Sequence, residues 1–102
     1  MATTLSIIIP AYNEEQVIIS TVESIFSFLS QNNFDFEIIV VSDGSTDSTV
    51  NKLKEQKGII LIENKENKGK GNAVKTGVMA AKNDYFLLVD ADHAIDINNV
   101  LS

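Results

Sequence analysis

Asp90 and Asp92, two carboxylates one residue apart, close an apolar run and are the side chains in this chain best placed for chemistry. The run is Tyr85-Phe86-Leu87-Leu88-Val89, led in by Asn83-Asp84. Its composition is that of a buried strand in a parallel sheet. Both carboxylates then fall just past the carboxyl end of that strand, where open α/β sheets bind ligands. In extended chain, residues two apart point the same way, so the pair repels itself unless a cation or hydrogen-bond donors come between. Mg²⁺ and Mn²⁺ take carboxylate oxygens and often share them with phosphates. The pattern therefore suggests a metal–diphosphate site. The alternative is a plain turn, since Asp is common after strands. His93 follows directly and is either structural, a third metal ligand or a phosphate donor.

Other polar residues have two readings each. Lys65, Lys68, Lys70 and Lys75 crowd one segment of a chain whose net charge is −6. Around Gly69-Lys70-Gly71 they form either a solvated loop or a helix start with free N–H groups suited to an anion. This is not a dinucleotide fingerprint: position 74 is Val, and the loop follows the third strand rather than the first. No P-loop pattern occurs. Asp43 is a turn former or a carboxylate accepting from a base N–H or a ribose hydroxyl. Glu14 suits a first helical turn or a ligand pocket. Tyr12 is core or covers a base face.

Positioning these groups requires strands that alternate with helices. Leu5–Ile9 reads as a first strand stopped by Pro10. Asn13 is a plausible N-cap, with Gln16 completing a capping box and Glu14 and Glu15 in the first turn. Ile18, Val22, Ile25, Phe26 and Leu29 follow at helical spacing, and the pattern fades near residues 31–33. Phe36–Val41 is a second strand. A short helix, capped by Ser45 or Thr46, runs to about Lys57 and ends at Gly58. Ile59–Ile62 is a third strand. A third helix starts near Lys70 with Val74, Gly77, Val78 and Ala81 on one face. The run around Leu87 is the fourth strand, and residues 95–102 suggest a short helix. Alternation of this kind implies an α/β fold with a Rossmann-like parallel sheet, strand order 3-2-1-4 and flanking helices. That order brings the loops after strands 1, 2 and 4 to one edge.

The 102 residues suffice for one domain with a modest core, and 44% hydrophobic content is ordinary for a globular chain. With no cysteine there is no disulfide framework and no thiolate metal site. No apolar run approaches the roughly 18 residues that span a bilayer, and Met1-Ala2-Thr3-Thr4 lacks the basic region of a signal peptide. The expected compartment is cytoplasmic, at the cytoplasmic face of a membrane if the chain belongs to a longer protein. The acidic balance argues against nucleic acid as a partner. Receiver domains also cluster carboxylates at strand ends, but need an acidic pair where this chain has Pro10-Ala11-Tyr12.

Four segments carry a resemblance to family 2 glycosyltransferases of the GT-A fold. Ile7-Ile8-Ile9-Pro10-Ala11-Tyr12-Asn13-Glu14 looks like the opening of such domains. Val41-Ser42-Asp43-Gly44-Ser45-Thr46-Asp47 resembles their second signature, with Ser42 where an acidic residue is usual. Asn67-Lys68-Gly69-Lys70-Gly71-Asn72-Ala73-Val74-Lys75-Thr76-Gly77 is similar to the third, in the form seen in dolichyl- or polyprenyl-phosphate glucosyltransferases. Asp90-Ala91-Asp92 matches the DXD motif. The resemblance implies a site for a nucleotide-diphosphate sugar, uridine diphosphate favoured. Pro10, Tyr12 and Glu14 would line the nucleoside pocket and Asp43 would contact the base. Lys70 would lie near the diphosphate or base, Asp90 would face the ribose or sugar, and Asp92 would bind Mg²⁺ or Mn²⁺. It implies inverting transfer, with a polyprenyl phosphate as a fitting acceptor. It covers only the donor-binding half of the family's domain, residues 1–102, with the general base expected beyond Ser102. The competing expectation is a non-catalytic α/β fragment that binds a nucleotide or a partner protein.

Overall fold

The computed structural model describes residues 4–83 and 85–91. The elements are β1 (Thr4–Ala11), α1 (Ile18–Gln31), β2 (Asp35–Asp43), α2 (Thr49–Lys54), β3 (Ile60–Asn64), α3 (Lys70–Ala80) and β4 (Tyr85–Leu88). The strands form one parallel sheet in the order β3-β2-β1-β4, as the alternation of strand and helix patterns implies. Register places Leu5 beside Phe36 of β2 and Tyr85 of β4.

The two faces of the sheet bury different helices. Ile7, Ile9, Ile38 and Val40 pack with Ile18, Val22, Ile25 and Leu29 of α1 and with Leu53 of α2. Ile39 and Val41 pack with Ala73 of α3 on the other face. Strands covered on both sides need continuous apolar runs, and Ile7-Ile8-Ile9 and Ile38-Ile39-Val40-Val41 supply them. These seven side chains are fully buried. α3 reaches the sheet through small residues: a methyl group on Gly77 would lie 2.5 Å from Ile8 Cγ2.

Several boundaries differ from the sequence expectation. β1 does not stop at Pro10 but runs through it to Ala11. The Ile8 carbonyl accepts from Val89 N–H, so Ile8 and, two residues on, Pro10 turn their polar groups toward β4. β4 ends at Leu88, and no ladder bond is asked of the proline. Asn13 does not cap α1, which starts at Ile18 after Val17 N–H and Ile18 N–H both donate to the Glu14 carbonyl. Asn13 sits at φ +52° instead. Glu14 and Glu15 therefore precede the helix. α2 begins after Ser48, not at Ser45 or Thr46, and ends at Lys54. α3 buries Ala73 and Gly77, with Val74 and Val78 half-buried and Ala81 beyond its end. β4 was expected to be buried, yet Tyr85, Phe86 and Leu88 are exposed, because β4 is the outermost strand among the described residues. The helix expected over residues 95–102 lies outside them.

Candidate functional site

At the carboxyl ends of β1, β2 and β4 a cleft of about 270 Å³ opens, lined by Pro10, Tyr12, Glu14, Asp43, Lys70 and Asp90. All six were singled out in the sequence. Asn67, Gly69 and Ala73 join them. All three lie in the third signature, though none was singled out there as a site residue. Asp92 and His93 lie outside the described residues, and among those described no three His, Cys, Asp or Glu side chains converge to hold a metal.

Asp43 is the most enclosed polar group of the cleft, only 4% exposed. Its Oδ1 accepts from Lys68 N–H at 2.9 Å and its Oδ2 from Gly69 N–H at 2.9 Å. A buried carboxylate requires such donors. Each oxygen keeps lone-pair capacity for a further donor. Gly69 N–H is shared with Asn67 Oδ1 at 3.0 Å, and Gly69 adopts φ +95°, which favours glycine. Asp43 thereby fixes the turn that starts α3. Gly44 brings its own loop against that turn: at φ +73°, a methyl group there would lie 2.5 Å from Asn67 N. Sequence reasoning weighed Asp43 as a turn former or a base acceptor and missed this clamp on a loop 25 residues away.

The rim on the β1 side is zipped to the β2–α2 loop. Asn13 Oδ1 accepts from Thr46 N–H at 2.7 Å and Asp47 N–H at 3.3 Å, and Asn13 N–H donates to Ser45 Oγ. Glu14 N–H donates to Thr49 Oγ1 at 2.8 Å, and Glu15 N–H to Asp47 Oδ2 at 3.3 Å. Burial pushes the Asp47 carboxyl up, but the hydrogen bonds from the Thr49 hydroxyl, Thr49 N–H and Glu15 N–H outweigh it and hold the group below its ordinary 3.8. These contacts orient Tyr12 and Glu14, which flank Asn13.

Asp90 is placed from beneath. Val89 N–H donates to the Ile8 carbonyl at 3.0 Å, and Thr21 Oγ1 of α1 donates to the Ala91 carbonyl at 3.0 Å. Lys70 Nζ pairs with Asp90 Oδ1, so the amino end of α3 and the end of β4 meet across the cleft. α3 starts after Gly69 with no side-chain cap, a start suited to an anion.

Three carboxylates, Glu14, Asp43 and Asp90, and one ammonium, Lys70, face this cleft among the described residues. A diphosphate entering would add negative charge, which calls for a further cation. Mg²⁺ and Mn²⁺ are bound through one or two carboxylates plus phosphate oxygens, and Asp90 would supply one such carboxylate.

Comparison with known proteins agrees with this geometry. Residues 6–101 match Glycosyl transferase family 2. The chain is 43% identical over 101 residues to a dolichyl-phosphate beta-glucosyltransferase of Drosophila melanogaster, covering 88% of this chain and 31% of that protein. It is similar in structure to a mannosyltransferase from Pyrobaculum calidifontis in complex with GDP-Man and Mn²⁺ (TM-score 0.76, 27% identity, 90% of this chain and 28% of that one). It is also similar to glucosyl-3-phosphoglycerate synthase from Mycobacterium tuberculosis in complex with Mn²⁺, UDP and phosphoglyceric acid (TM-score 0.73, 32% identity, 88% and 33%). The chain thus spans about a third of the length of the dolichyl-phosphate glucosyltransferases it matches. A parallel 3-2-1-4 sheet, a cleft at its carboxyl edge and a match over nearly the whole length lead to one conclusion: the chain belongs to glycosyl transferase family 2, with the GT-A fold.

Proposed function

We propose that this chain carries the donor-binding part of a glycosyltransferase, holding a nucleotide-diphosphate sugar in the cleft at the carboxyl edge of the sheet. The observation that carries the reading is convergence: Pro10, Tyr12, Glu14, Asp43, Lys70 and Asp90 come from four separate segments and line one cleft. Tyr12, 45% exposed, offers a face to a base, and the remaining lone pairs of Asp43 accept from a base N–H. Lys70 and the amino end of α3 receive the diphosphate. Asp90 and Asp92 would hold Mg²⁺ or Mn²⁺, which would supply positive charge to the leaving diphosphate. The similar structures with UDP and with GDP-Man support the donor class, and the first of these, with the glucosyltransferase relative, favours uridine and glucose. That relative's name also supports a lipid phosphate as acceptor in the whole protein. Transfer with inversion then needs a base for the acceptor's proton, a role given to none of the described residues.

Titration calorimetry of UDP with and without Mn²⁺ tests the reading. The wild-type chain should bind UDP more tightly with Mn²⁺, and Asp92→Ala should lose that gain. Equal affinity in wild type and variant would remove the metal role, and no binding of UDP under any condition would remove the donor site.

A further inference from the structure

We propose that Lys70 is a built-in counter-ion for Asp90 that yields this carboxylate to the divalent cation and turns to the diphosphate as the donor enters. The proposal rests on the donor-site reading above and deepens it. Lys70 Nζ pairs with Asp90 Oδ1, with side-chain exposures of 65% and 35%. Both residues line the cleft in which the donor would lie.

The backbones on either side of the pair are held, so an exchange needs only side-chain movement. Asp43 clamps the Lys68 and Gly69 N–H groups immediately before Lys70. Val89 N–H and the Ala91 carbonyl, on either side of Asp90, are bonded to β1 and α1. A lysine ammonium is a compact charge on a flexible four-carbon stem and swings without moving its helix. The pair is also partly exposed, and such pairs contribute little to stability, so breaking it costs little. In a cleft with three carboxylates, the ammonium offsets repulsion while no other cation is present. A divalent ion at Asp90 would compete with the ammonium for the same carboxylate. Diphosphate oxygens at the start of α3 give the displaced ammonium its new partner. Lysine at 70 therefore opposes metal binding alone and favours nucleotide binding with metal.

Opposite signs in one variant test this. Mn²⁺ alone is titrated into the chain and followed by the electron paramagnetic resonance signal of the free ion. UDP is then titrated calorimetrically at saturating Mn²⁺. Lys70→Met keeps a helix-compatible side chain at an exposed position, and circular dichroism confirms the fold. It should bind Mn²⁺ about two- to fivefold more tightly than wild type, the range of a partly exposed ion pair, and bind UDP more weakly. Lys75→Met removes an exposed charge on α3 outside the cleft and should leave both affinities near wild type, which separates the pairing from net charge. If Lys70→Met binds Mn²⁺ no more tightly than Lys75→Met while wild type binds UDP with Mn²⁺, the exchange is overturned and the donor site stands. A wild-type chain that binds neither Mn²⁺ nor UDP overturns both.

Discussion

Asp43 shows how one side chain serves a site by holding the loop beside it. Its two oxygens take the N–H groups of Lys68 and Gly69, and through them set the start of α3 and the approach of Lys70 to the cleft. Asp43→Asn keeps the shape but turns one oxygen into an NH₂ facing a backbone donor. One of the two clamps is lost, and hydrogen bonds to a charged acceptor are worth about 1.5–3 kcal/mol. The variant should lose stability in that range in urea unfolding and bind UDP more weakly without metal. A variant with unchanged midpoint and UDP affinity within twofold of wild type would reduce Asp43 to a turn residue. The sequence showed Asp43 as a carboxylate at a strand end. It could not show the clamp, because the donors are main-chain groups that every residue carries.

Among the elements, α3 depends most on a missing side chain. Ala73 and Gly77 are its buried residues, and a methyl on Gly77 would meet Ile8 Cγ2 at 2.5 Å. Gly77→Ala gains about 1 kcal/mol of helix propensity but forces an overpacked contact costing about 1–3 kcal/mol. Net destabilisation is expected, with α3 pushed outward. In an Ile8→Ala background the clashing methyl is gone, so the cost of Gly77→Ala should vanish or reverse. An additive double-mutant cycle would place the strain elsewhere. α3 also shows why its packed face was legible only in part. Periodicity pointed to Val74, Gly77, Val78 and Ala81, of which Gly77 is buried and the two valines half-buried, whereas close approach selects the smallest residues and adds Ala73. α1 buries Ile18, Val22, Ile25 and Leu29 as its periodicity indicates, because large side chains fill the space there, while Phe26 of the same set is 40% exposed.

The whole molecule carries its site on contacts that join loops far apart in sequence. Asn13, Glu14 and Glu15 are bonded to residues 45–49, so the cleft's rim forms only when β1 and β2 are paired. One of these bonds makes the fold sensitive to acid. The Asp47 carboxyl is held below 3.8 in the folded chain, so the folded state favours the ionised form. Its contribution is present in full above that ordinary value and is lost as pH falls through the lower folded value. Stability should therefore drop below about pH 4. Asp47→Asn should be less stable than wild type at neutral pH and show a shallower loss on acidification, measured by urea midpoints from pH 7 to pH 3. Parallel curves for the two proteins would remove Asp47 from the acid transition.

The sequence by itself determined the fold class, the strand order and six of the residues that line the cleft. Long apolar runs bounded by polar turns force strands covered on both faces, alternation with helices forces a parallel sheet, and the sheet's handed connections bring three loops to one edge. Tertiary structure alone decided the roles of Asn13, Asp43, Thr21 and Gly77. Asn13 became a brace for the next loop because a left-handed backbone aims its amide there, and Pro10 stayed in β1 because its neighbour ends first. Thr21 became a tether for the Ala91 carbonyl, and Gly77 a point of close approach. Each of these depends on a partner 25 or more residues away, and local propensity has no access to a distance that only the packed sheet defines.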